Sequence, residues 1–158
     1  MDDLTWIAMD TGTAERLRAG GPDANGMPAE RRISDGDGVP CRHCETEVRE
    51  GQAYLVAAHR PFSTVQPYAE VGPVFLHADA CPRHRPDAGM PEMFRSWERV
   101  LLRGYDADER IVYGTGRIVD SDRIEAEAAG ILALPRVAFV HLRSARNNCW
   151  HARIERAD

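Results

Sequence analysis

Val137-Ala138-Phe139-Val140-His141-Leu142-Arg143, then Ser144-Ala145-Arg146-Asn147-Asn148, then Cys149-Trp150-His151-Ala152-Arg153-Ile154-Glu155 is the stretch that decides the fold. Two β-branched and aromatic runs flank a short polar connection, which is the signature of an antiparallel hairpin. Side chains alternate across a strand, so His141 and Arg143 share one face. Cys149, His151 and Arg153 alternate with Trp150, Ala152 and Ile154.

Working back from this hairpin, Ala53 to His59 and Pro73 to His77 read as a second strand pair joined by the long turn Pro61 to Tyr68. Leu4 to Met9 suits an edge strand, and Thr13 to Ala19 offers two helical turns stopped by Gly20-Gly21-Pro22. Positions 20–40 are rich in Gly, Pro, Asp and Asn and read as irregular, with one short strand at Ala29 to Ser34. Pro91 followed by Met93, Phe94, Trp97, Val100 and Leu101 predicts an amphipathic helix ending at Gly104, with Arg103 near its last carbonyls. Ile111 to Ile118 reads as a strand in which Gly114 and Gly116 mark a bulge or a close backbone approach. Asp120 or Ser121 can cap a further helix whose Ile124, Ala128, Ile131 and Leu132 share a face, with Pro135 beyond its end. The expectation is an α+β fold: one domain over 1–158, a mainly antiparallel sheet and two to three helices.

Composition agrees with a folded chain. The 158 residues are 43% hydrophobic and 28% charged, with 25 acids against 20 bases. That size and balance suit one core, which buries roughly two-thirds of the unfolded surface. All the bases are arginine. The absence of lysine excludes Schiff-base lysines, lysine general bases and P-loops, each of which needs a primary amine. The arginines are interleaved with Asp and Glu, which disfavours nucleic acid as a partner. No stretch approaches the ~18 apolar residues of a membrane span and the N-terminus carries no targeting pattern, so a cytoplasmic protein is expected.

In that reducing setting the four cysteines are thiols, metal ligands or catalytic groups before they are a disulfide framework. Cys41-Arg42-His43-Cys44 offers two thiols on a turn, half of a tetrahedral site. His77-Ala78-Asp79-Ala80-Cys81-Pro82-Arg83-His84 offers the other half, 32 residues on, counting from Glu45 to Leu76. Thiolate and imidazole in a closed shell suit zinc. The expected ligands are Cys41, Cys44, His77 and Cys81, with His84 and His43 in reserve, stapling the segment 41–84. A structural role is favoured over a catalytic one, because a closed shell leaves no position for water. Two alternatives stay open: small buried cysteines beside hydrogen-bonded histidines, or a CxxC redox pair, although a turn leading to a strand is a poor setting for an activated thiolate.

A second concentration of reactive groups is His141, Arg143 and Cys149. Cys149 can pack or act as a nucleophile, and Arg143 or Arg42 can position an anionic substrate. The functional expectation is a zinc-stabilised domain that binds a protein or small-molecule partner. The alternative is an enzyme acting on an anionic small molecule, and a binding module would tolerate loss of Cys149 and His141 where an enzyme would not.

Pro40-Cys41-Arg42, Pro61-Phe62, Pro67-Tyr68, Gly72 to His77, Arg103-Gly104-Tyr105 and Arg143-Ser144-Ala145-Arg146 with Cys149 together resemble a bacterial family, domain of unknown function 1203. The resemblance spans most of the chain and implies one compact bacterial domain without fixing a mechanism or a ligand set. Asn147-Asn148 stands where the family pattern has a glycine-containing turn.

Overall fold

The computed structural model describes residues 3–158; positions 1 and 2 of the N-terminal segment read for a targeting signal lie outside the described residues. Eight strands and two α-helices form two antiparallel sheets in one α+β domain. The strands are β1 (Leu4–Ile7), β2 (Glu30–Ile33), β3 (Ala53–His59), β4 (Gly72–His77), β5 (Arg99–Tyr105), β6 (Arg117–Asp120), β7 (Phe139–Ser144) and β8 (Trp150–Arg156). The helices are α1 (Thr11–Arg18) and α2 (Ile124–Leu132). The larger sheet has the order β1-β8-β7-β5-β6 and the smaller β2-β3-β4.

One face of the larger sheet is apolar. Val100, Leu102, Val140, Leu142, Ala152 and Ile154 point from it into a core closed by α2, whose Ile124, Ala128, Ile131 and Leu132 are all buried, as their helical spacing predicts. Gly104 is required here by close approach: a Cβ would lie 3.0 Å from Ile131 Cγ2 and 3.0 Å from Thr115 Oγ1. A second core gathers Met9, Ala14, Leu17, Val39, Leu55, Val74, Leu76 and Trp150 between α1, the smaller sheet and the end of β8. Asp10 caps α1 by accepting a 2.9 Å bond from the Thr13 N–H, and Gly20, at φ 85°, turns the chain away after its end.

Three sequence expectations are corrected. The helix expected from Pro91 to Gly104 is a short 3-10 helix, Glu92–Ser96, followed by the central strand β5. Met93, Phe94, Trp97 and Val100 do join the core, but Val100 and Leu102 do so by strand alternation, because β5 pairs with both β6 and β7. Short apolar runs carry both periods, and strand pairing decides between them. Arg103-Gly104-Tyr105 is therefore strand, not a helix end. The strand expected over Ile111 to Ile118 starts only at Arg117: Gly114, at φ 93°, occupies a turn and Ile111 makes a single bridge to Tyr105. Neither Asp120 nor Ser121 caps α2 with its side chain; a 3-10 turn, Ser121–Arg123, precedes the helix.

The hairpin β7–β8 forms, with a bulge that changes its faces. Leu142 pairs with Ala152 but Arg143 pairs with Trp150, leaving His151 as the extra residue. Simple alternation would place Trp150 with Ala152 and Ile154. The bulge instead turns Trp150 into the second core, while His151 packs against Trp97 at 4.7 Å between ring centres. In the connecting turn Asn148 takes φ 58°, the left-handed conformation for which glycine is favoured and asparagine is the next best substitute.

Candidate metal centre and the inter-sheet cavity

The segment Pro40–Glu47 closes on itself as a tight knuckle. Pro40 bridges Glu47, the Cys41 N–H donates to the Thr46 carbonyl at 2.9 Å, and the Glu45 N–H donates to the Cys41 carbonyl at 3.0 Å with Glu45 at φ 57°. Cys41 also bridges Phe75 of β4, and the Arg42 N–H donates to the Phe75 carbonyl at 2.9 Å, so the knuckle is laid along the strand that ends at His77. The chain then turns at Ala78, whose N–H returns to the Ala53 carbonyl at 3.0 Å, and brings Cys81 back over the knuckle.

The result is that one ligand atom from each of Cys41, Cys44, His77 and Cys81 lies within 4.8 Å of every other. Cys41 Sγ and Cys81 Sγ are 3.9 Å apart, and Cys44 Sγ is 3.4 Å from His77 Nδ1. These separations are close to the edges of a tetrahedron with metal–sulfur bonds of about 2.3 Å. This Cys3His group can hold a metal ion. Cys41 is buried and the other three are partly exposed at the rim.

The surroundings suit anionic sulfur. The His77 N–H donates to Cys41 Sγ at 3.3 Å. Arg18, at the end of α1, donates from Nη2 to Cys81 Sγ at 3.1 Å and from Nε to the His77 carbonyl at 3.0 Å. His43 Nδ1 lies 3.2 Å from Cys81 Sγ, and its Nε2 lies 2.9 Å from Thr11 Oγ1. His43 thus stands behind Cys81, outside the four-atom group, and His84 turns its Nε2 to the Gly89 carbonyl at 2.9 Å. Hydrogen bonds from the Cys44 and Cys81 thiols push the Cys41 thiol well below its ordinary range. The same bond to Cys41, read from the other side, raises Cys44 and Cys81.

The residues singled out on the C-terminal hairpin are divided. Arg143 and Cys149 line a cavity of about 210 Å³, where Arg143 Nη1 donates to the Asn148 carbonyl at 3.0 Å and meets Glu70 at 3.5 Å. His141 lines a different cavity of about 430 Å³, between the two sheets. It is fully buried, ringed by Phe62, Tyr105 and Phe139 at 4.7–5.1 Å between ring centres. Burial, with Arg143 and Arg153 nearby, holds its imidazole neutral well below the ordinary histidine range. Arg42 is buried as a strut, donating from Nε to the Trp150 carbonyl at 2.7 Å and from Nη1 to the Pro40 carbonyl at 2.8 Å.

The inter-sheet cavity was not read from the sequence. Its walls come from Arg60, Arg83, His141 and Trp150, which are distant in the chain; the sequence singles out His141 beside Arg143 and Cys149, not with Arg60 or Arg83. Among the described residues, no helix is long and apolar enough to cross a membrane. Neither the curated proteins nor the solved structures contain a match to this chain. Residues 38–156, which include the knuckle and the whole β5–β8 region, match the model of the family described as protein of unknown function, DUF1203, and the chain belongs to that family.

Proposed function

We propose that the protein is a zinc-stapled binding domain of the cytoplasm. The observation that carries this reading is the convergence of three sulfurs and one imidazole nitrogen, from three separate stretches of chain, within 4.8 Å. Three thiolates and a neutral imidazole suit a d¹⁰ ion in a closed tetrahedral shell. The assembled centre would carry one net negative charge, which the Arg18 guanidinium on Cys81 offsets. With all four positions filled by protein, the ion's role is structural: it ties the knuckle to the end of β4, to the following turn and, through Arg18, to α1. A reducing compartment keeps these thiols available to it.

The enzyme reading built on Cys149 and His141 has no geometric support, because the two side chains line different cavities. A redox cycle between Cys41 and Cys44 would leave Cys81 and His77 with no reason to converge on them. The test is metal content by mass spectrometry on untagged protein purified without chelator, beside a Cys41→Ser/Cys44→Ser variant. About one zinc per chain, lost in the variant together with stability, is the expected result. Metal-free wild-type protein of unchanged stability would overturn the reading.

A further inference from the structure

The cavity between the sheets holds an unusual concentration of unused hydrogen-bonding capacity. Nine buried side-chain polar atoms among the described residues lack a partner, and five of them belong to residues lining this one cavity: Arg60 Nε, Arg83 Nε, Trp150 Nε1 and both ring nitrogens of His141. His141 is 0% exposed and Trp150 8%. Leaving a buried donor unmade costs about 1–3 kcal/mol, so such a cluster calls for a partner, an ordered water or a ligand.

The charges point the same way. Arg60 makes no hydrogen bond or ion pair among the described residues, and Arg83 donates only to the Ala8 carbonyl, at 2.7 Å from Nη2. The two acids on the wall, Asp10 and Asp23, are held by local hydrogen bonds and keep their negative charge. Asp10 accepts from the Thr13 N–H and hydroxyl. Asp23 accepts from the N–H groups of Asn25, Met27 and Ala58. Arg153, on the same wall, is paired with Glu155, which leaves Arg16, Arg60 and Arg83 against the two carboxylates of Asp10 and Asp23, and the excess positive charge suits an external anion. An uncharged apolar molecule would leave the donors unmet. Met9, Leu17 and Phe62 supply an apolar wall beside the donors, and about 430 Å³ is within the usual range for small-molecule sites.

We propose that this cavity is a binding site for a small organic oxyanion, a carboxylate or a phosphate ester, whose charged group is held by Arg60 and Arg83 beside Trp150 and His141. The site does not include the metal ligands, although the Arg42–Trp150 hydrogen bond links the two regions.

The test is a titration of the full chain as purified without chelator, followed by the indole N–H signal of Trp150 and the guanidinium Nε–H signal of Arg60 in ¹⁵N-resolved NMR. The probes are phenyl phosphate, benzoate and inorganic phosphate, each against sodium chloride at equal ionic strength. A saturable shift of both signals with Kd of about 1 mM or tighter is expected for phenyl phosphate or benzoate, and whichever binds tighter assigns the head group. Arg60→Gln should weaken binding about tenfold or more, with Arg60→Lys between it and the wild type. Arg99→Gln, at an exposed pair with Asp120, should leave it unchanged. Unchanged melting temperature in Arg60→Gln separates lost binding from lost fold. No saturable shift up to about 10 mM of any probe would mean a cavity filled by water and would overturn the proposal, as would equal binding by Arg60→Gln. Inorganic phosphate binding as tightly as phenyl phosphate would overturn its organic part.

Discussion

Replacing Arg18 tests whether the metal centre extends into α1. Its guanidinium spans two acceptors, Cys81 Sγ at 3.1 Å and the His77 carbonyl at 3.0 Å, so one side chain orients two of the four ligands. Groups that orient ligands in this way are worth about 10–100-fold in metal affinity. Arg18→Met should therefore weaken zinc binding by about that factor, or about 1.4–2.7 kcal/mol, without removing a ligand. Arg18→Lys should recover only part of it, because an ammonium at the end of a flexible stem cannot reproduce the two-pronged geometry. At fixed free zinc the same energy appears as lost stability. For a chain of this size 1 kcal/mol moves the melting temperature by about 2–4 °C, so a fall of about 3–11 °C is expected in zinc-buffered solution. The assay is competition with a chromophoric zinc chelator, paired with thermal melts at several free-zinc concentrations. The difference between wild type and Arg18→Met should vanish in excess chelator, apart from the small loss of packing. An affinity within twofold of the wild type would refute the coupling of α1 to the centre.

Further expectations concern the buried histidines, the core and the reserve ligands. His141 is held neutral by burial, so the unfolded chain binds a proton there that the folded chain does not; its contribution to stability is present above the unfolded pKa, about 6.5, and is lost as pH falls below it. Urea unfolding from pH 7 to pH 5 should show His141→Phe, a ring that suits its aromatic surroundings, reducing the pH slope by up to about 1.4 kcal/mol per pH unit. His59, pushed down to about 4 by burial, acts in the same direction, so stability should keep falling toward that pH even in the His141→Phe variant. Gly104→Val should cost about 1–3 kcal/mol in thermal or urea unfolding, because its Cβ would already be 3.0 Å from Ile131 and Thr115. His84→Ala should leave zinc stoichiometry at its wild-type value by mass spectrometry, since its Nε2 is engaged by Gly89, whereas His77→Ala should lower it.

How far the sequence carried depended on the range of the interaction. The face of α2, the stop of α1 and the pairing of β3 with β4 are local patterns, and each is present where the sequence puts it. The grouping of Cys41 and Cys44 with the end of β4 was legible because ligand chemistry supplies a long-range constraint that hydrophobic spacing does not. What failed was where two local patterns competed. Met93, Phe94, Trp97, Val100 and Leu101 satisfy a helical period, yet Arg99–Tyr105 becomes the strand between β6 and β7, a choice made by partners found elsewhere in the chain. The faces of β8 were misread for a smaller reason, one extra residue at His151. A bulge leaves no mark in composition and inverts every side chain beyond it.

That inversion matters beyond the strand itself. Without the bulge, Trp150 would fall on the side of Ala152 and Ile154, against α2, and the wall of the inter-sheet cavity would lose its indole. With it, Trp150 stands beside His141, and its carbonyl receives the buried Arg42 at 2.7 Å. Arg42 lies between the two cysteines of the knuckle, and its own carbonyl accepts from Met9, on the cavity wall, at 2.9 Å. The knuckle and the cavity thus share a frame of short, buried hydrogen bonds. An ion bound by Cys41 and Cys44 would also fix the strut that holds Trp150, so the proposed metal would order the wall of the proposed ligand site without touching the ligand.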